Sequence, residues 1–177
     1  KFGADTVASA YCSIATVLRD TSFTGLAESK PAGTKYAAAD FAFLRDYLTP
    51  SLRAEFDKTV TAFVANQDVT SPEGLRLSIF SRLAWDNPSM RFDPSAPAKG
   101  TDFAVGLPAT WTIASTDKLT RFGMAFETGV VTHMLDAQGA KKAWVLTRTY
   151  RIAVVKGDTS AHPWLIDAIQ MSSESTA

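Results

Sequence analysis

Ready-made chemistry is scarce in this chain. Its 177 residues include one cysteine, Cys12, and two histidines, His133 and His162. A single thiol forms no internal disulfide and no multi-thiolate site, and two widely separated histidines offer no metal-ligand spacing. No metal and no cofactor are expected. No apolar run approaches the ~18 residues of a membrane-spanning helix. Eighteen Lys+Arg balance eighteen Asp+Glu, for a formal net charge of zero. Such a balance supplies no field for nucleic acid or an anionic membrane surface, so neither is expected as a partner. The chain has no nucleophile elbow, no phosphate-binding glycine loop and no paired-histidine motif. No residue is therefore assigned a catalytic role.

What is present describes an ordinary globular protein, with 46% hydrophobic and 20% charged residues in 19.1 kDa. That size fits one domain able to bury its own core, taken as 1–177. Cys12, among Tyr11, Ile14 and Ala15, reads as a small core residue of a helix. The chain opens at Lys1 rather than Met, which suggests an exported protein of the periplasm or cell envelope whose targeting segment is absent from this chain. A cytoplasmic location is equally compatible with one cysteine.

The order of elements is the strongest signal. Val7, Tyr11, Ile14 and Leu18 form one apolar stripe on a helix over 5–19. A loop at 21–34 follows, with Gly25, Pro31 and Gly33. A second helix is expected over 35–48, with Phe41, Leu44 and Leu48 inward. Thr49-Pro50 marks a restart, a capping Thr followed by Pro at the first helical position. The third helix carries Leu52, Phe56, Val60 and Phe63 inward until about residue 65. Residues 69–100 are irregular, although Ser71-Pro72-Glu73 suits the start of a short helix.

After Gly100 the period changes to two. In Ala143–Val155, residues Trp144, Leu146, Tyr150, Ile152 and Val154 share one parity, and Thr147, Thr149 and Arg151 the other. That alternation buries one face of a strand and wets the other. Strands are expected over 102–115, 120–135, 143–156 and 163–172, then a polar tail at 173–177. Asp117-Lys118, Gln138-Gly139 and Gly157-Asp158 supply the turns. Helices first and hairpin-connected strands after them make an α+β fold, helices packed on an antiparallel sheet of about four strands.

Three pieces together carry a resemblance: FLRDYLTPSLRAEF at 43–56, Trp-Asp-Asn-Pro at 85–88, and PWLIDAIQM at 163–171. This layout resembles the nuclear transport factor 2-like superfamily, in particular its small uncharacterised exported bacterial domains. The resemblance implies a strongly curved, cystatin-like sheet wrapped by helices around a conical cavity. It implies no single activity, because that fold hosts enzymes, binding modules and interaction domains.

His133 shares its strand parity with Glu127, but six strand residues separate them by ~20 Å, too far for an acid–base pair. His162, before Pro163 at a turn, reads as solvated. Enzymes of the resembled fold, isomerases and dehydratases among them, hold a carboxylate or a His–Asp pair in the cavity. The candidates for such a group are Asp86, Asp102, Glu127, His133 and Asp167. Asp167 is expected to face solvent or to pair with Arg148 or Arg151. Of the tryptophans, Trp111, Trp144 and Trp164 fall on expected strands, and Trp85 lies in a loop suited to a pocket mouth. The expectation is a non-enzymatic domain binding a partner protein or a small apolar ligand between helices and sheet. Trp85, Asp86, Trp111 and His133 are its candidate lining residues. A homodimer through the sheet face is compatible with it. The alternative is a cavity enzyme of the isomerase or dehydratase kind using a buried carboxylate or histidine.

Overall fold

The structure, a computed structural model, describes residues 3–18, 35–80, 90–93, 103–106 and 121–176. Within them the expected order holds: helices first, then an antiparallel sheet. Helix α1 spans Ala4–Leu18 and buries Ala10, Ile14, Val17 and Leu18. Cys12 is exposed, contrary to expectation. At about 100° per residue it lies 200° from Ile14, on the far side of the helix.

The second helix, Ala38–Tyr47, is a 3₁₀ helix. Phe41, Leu44 and Tyr47 stand three apart, and a helix of three residues per turn stacks them on one face. Phe41 and Leu44 are buried, and Tyr47 packs against the same core. Asp40 accepts the Ala37 amide at 2.7 Å and tightens the first turn. The chain then extends: Leu48 bridges to Ile166 in parallel, and the Thr49 amide donates to the Ile166 carbonyl at 3.0 Å. Thr49 also caps α2 (Pro50–Asn66) by accepting the Leu52 amide, with Pro50 in the first turn as expected. The start of α2 is thus tied to the sheet by the capping residue itself.

Helix α2 buries Phe56, Val60 and Phe63 and ends at Gln67, whose φ of 59° is left-handed. The Gln67 side chain accepts the Tyr36 amide at 2.7 Å and donates to its carbonyl at 2.9 Å, clasping the chain ahead of the 3₁₀ helix. Ser71 caps the short α3 (Pro72–Ser78) through the Gly74 amide. A Cβ on Gly74 would stand 2.6 Å from the Asp68 carbonyl oxygen, so only glycine allows this approach.

The sheet consists of β1 (Met90–Phe92), β2 (Phe103–Gly106), β3 (Arg121–Asp136), β4 (Lys141–Lys156) and β5 (Trp164–Thr176). Strands β3, β4 and β5 pair in sequence order, all antiparallel. Short turns permit nothing else. In the first turn the Asp136 carboxylate accepts the Gln138 and Ala140 amides, and Gly139 takes a φ of 82°. Strand β5 continues to Thr176, through serines expected to lie in a polar tail. Of the strand expected at 102–115, residues 103–106 are β2; 107–115 lie outside the described residues.

Strands β1 and β2 both pair with the other edge of β3 and run in the same direction along it. Phe92 stands opposite Met134 and Phe103 opposite Val130, so residues 93–102 intervene on one side and 131–133 on the other. Together they form one edge strand interrupted midway. Pro94 and Pro97, which donate no ladder hydrogen bond, fall in that interruption.

The described buried side chains of β3 and β4 that pack on the helices are even-numbered. Phe122, Met124, Tyr150, Ile152 and Val154 join Trp164 and Ile166 of β5 in one core with α1, the 3₁₀ helix, α2 and α3. Phe122 and Trp164 meet edge to face at 5.2 Å, and Phe41 and Phe63 do so at 6.0 Å. The expected core members Phe56, Phe63, Tyr150 and Ile152 are all present. The side chain of Trp144 lies outside the described part. Trp164 Nε1 donates to Ser9 Oγ at 3.1 Å, joining β5 to α1.

Candidate functional site

The inner face of the β3–β4 pair is a series of cross-strand rows. Phe122 faces Val154, Met124 faces Ile152, and Phe126 faces Tyr150. The next row in register is Thr128 with Arg148. Both are buried, Thr128 fully and Arg148 to 6% exposure. Two polar residues, one of them a permanent cation, are therefore buried beside the apolar rows of this face.

Their hydrogen bonds are few. Arg148 Nη1 donates to Tyr150 Oη at 3.2 Å, two residues along the same face. Thr128 Oγ1 donates across the strands to the Arg148 carbonyl at 3.3 Å. Arg148 Nε is buried without a partner. The ion pairs among the described residues join Arg45 to Asp57, Arg121 to Asp167 and Lys141 to Asp93, and none includes Arg148. Removing a charge from water costs several kcal/mol unless a counter-charge offsets it. A guanidinium held in this way is poor core material and a good anchor for an acceptor.

The opposite face carries a second polar group. The Asp93 amide donates to the His133 carbonyl at 3.0 Å, placing the two residues across from each other at the interruption of the edge strand. The Asp93 side chain is only 5% exposed and lies 3.3 Å from Lys141 Nζ. His133 is half-buried on the odd parity, which points away from the helix-packed core.

Of the candidates named from sequence, Trp85, Asp86 and Trp111 lie outside the described residues, as does Asp102. The structure does not bring His133 to the inner face. Glu127 is exposed on the outer parity. Asp167 pairs with neither Arg148 nor Arg151. It is the extra residue of a bulge, between Ile166 opposite Val154 and Ala168 opposite Ala153, and it meets Arg121 Nε at 2.7 Å. Arg148 stands opposite Ser173, ~20 Å farther along β5 at 3.3 Å per residue. His162, expected to be solvated, is half-buried, its ring edge-on to Tyr47 at 4.6 Å and its Nδ1 without a hydrogen-bond partner. Among the described residues no group of three or more His, Cys, Asp or Glu is placed to hold a metal ion.

Sequence reasoning passed over both Arg148 and Asp93. Arg148 had a visible signal: it breaks the apolar even-parity series Trp144, Leu146, Tyr150, Ile152 and Val154 with a charge. Asp93, ahead of Pro94, read as an ordinary loop residue, and its cross-strand neighbour is forty residues on in the chain's third strand. No family model matches the chain, and no curated protein or solved structure matches it either.

Proposed function

We propose that this chain is a non-enzymatic binding domain that takes a small, largely apolar ligand between its helices and the inner face of its sheet. The burial of Arg148 on that face supports this reading best. A cation at an inward strand position is costly to keep and unnecessary for packing, whereas ligand sites combine apolar walls with one or two placed polar groups. Thr128 holds the Arg148 backbone carbonyl, and Tyr150 accepts from its guanidinium.

The test is native mass spectrometry of protein purified without denaturation. The expected result is a small-molecule mass that leaves on unfolding and is lost from a variant that fills the inner face, Thr128→Leu. Protein that carries no such mass and acquires none from a metabolite extract would overturn the reading.

One observation favours a second reading. Asp93 is a buried carboxylate with a histidine across the ladder, which suits general acid–base chemistry of the isomerase or dehydratase kind. It lies on the face away from the helix-packed core. Under this reading Asp93→Asn and His133→Gln abolish turnover of the bound ligand while leaving its binding intact. Under the binding reading no turnover exists to be lost.

A further inference from the structure

We infer that the ligand is a monoanion, an apolar acid whose carboxylate is bound side-on by Arg148. The inference rests on the binding reading above and specifies what the site would select.

The argument begins with the geometry of the guanidinium. Its five N–H donors form a flat fork with distinct edges, and the edge made by Nε and Nη2 presents two parallel N–H bonds. Tyr150 Oη takes Nη1, which belongs to the other edge. Nε is buried and has no partner. The edge left over is therefore the one that fits two oxygens of a carboxylate. Arg45 shows the same pairing elsewhere in the molecule: its Nε and Nη2 each donate to one carboxylate oxygen of Asp57 at 2.8 Å. At Arg45 the pair is exposed. At Arg148 the residue is buried and its Nε is out of water, so a bond to that edge would form where water competes little.

Charge number follows from the surroundings. Among the described residues Arg148 is the one buried cation of the inner face, and the neighbouring rows are Tyr150 on one side and the apolar pair Val130–Leu146 in register on the other. One guanidinium neutralises one negative charge. A diphosphate or a dicarboxylate would bring a second charge onto this face with no second buried cation described there to meet it.

The test compares octanoate, dodecanoate and 2-naphthoate with octanol, dodecanol and 2-naphthol by isothermal titration on the intact protein. Charge-assisted hydrogen bonds are worth about 1.5–3 kcal/mol, so the best acid should bind about tenfold or more tighter than its alcohol. Arg148→Met should erase that preference and leave alcohol binding unchanged. Its melting temperature should equal or exceed the parent's, because a buried charge with no counter-charge among the described residues is replaced by an apolar chain of similar length. Arg148→Lys should keep part of the preference, since a point charge cannot bond two oxygens side-on.

Acids and alcohols bound equally by the parent would overturn the inference and leave the binding reading standing. Failure of every probe to bind would remove both. A preference for acids that survives in a cooperatively folded Arg148→Met would place the anion elsewhere and overturn it too. Should that variant not fold, ¹³C-carboxylate titration of dodecanoate bound to the parent decides: its proton must be lost at a lower pH than in the free acid, and an unchanged or higher pKa refutes the inference.

Discussion

One face of the β3–β4 pair serves two purposes along its length. At the Phe122–Val154 and Met124–Ile152 rows the inward side chains are apolar and packed under helices; at the Thr128–Arg148 row they are polar and also buried. Both stretches lie on the same two strands, on the same parity, in one uninterrupted register. Burial alone therefore does not separate core from candidate site. Satisfaction does: the apolar rows have nothing to satisfy, whereas Arg148 keeps a donor unmet.

The largest effect that would test this contrast lies on the helix side. Phe63 is fully buried among Tyr36 and Phe41, with ring centroids 5.6 and 6.0 Å away. Phe63→Ala should cost about 3–5 kcal/mol by lost contacts and cavity formation. Urea unfolding measures it, and a cost below ~1 kcal/mol would show that the helices do not cover this half of the face as described.

An intermediate effect is expected at the boundary between the halves. Tyr150→Phe removes the acceptor of Arg148 Nη1 and should cost about 1–3 kcal/mol, the penalty of a further unpaired buried donor. In an Arg148→Met background the same change should cost much less. That double-mutant cycle isolates the coupling, and equal costs in both backgrounds would show that the hydroxyl does not serve the guanidinium.

The smallest effect sits outside both halves. Asp68, in the turn between α2 and α3, has its pKa lowered by hydrogen bonds from the Thr70 hydroxyl and amide, with a smaller backbone contribution from Ser71. A carboxylate with a depressed folded-state pKa contributes stability above its unfolded pKa, and that contribution is lost as pH falls through the folded value. Thr70→Val removes the hydroxyl bond only, so the pKa should rise part of the way back, as read by carboxyl NMR titration. An unmoved pKa would show that the amide alone holds it down.

Much of this arrangement was legible from residue order. Alternation over Ala143–Val155 located β4 and its inward parity, and Thr49-Pro50 located the start of α2. Both signals are local, carried by residues that determine their own backbone geometry. The rest depends on partners distant in sequence. Met90–Phe92 is too short to show a period and becomes a strand only because Met134–Asp136 hydrogen-bonds it. Phe41, Leu44 and Leu48 suit an α-helix as well as a 3₁₀ helix, since a spacing of three or four serves either. The partner of Asp167 depended on a bulge, which no parity rule anticipates. Arg148 was readable as an exception in an apolar series, but whether an inward charge finds a counter-charge is a three-dimensional question.

The bond from Trp164 to Ser9 spans 155 positions of sequence. A ribosome makes α1 before β5, the strand it packs on, with every other described element in between. At about 5–20 residues per second, the apolar stripe of Ile14, Val17 and Leu18 waits roughly 7–30 s for its seat on β5 to exist. During that interval it is a sticky amphipathic helix. Refolding of the finished chain, with every strand present from the start, does not reproduce that interval.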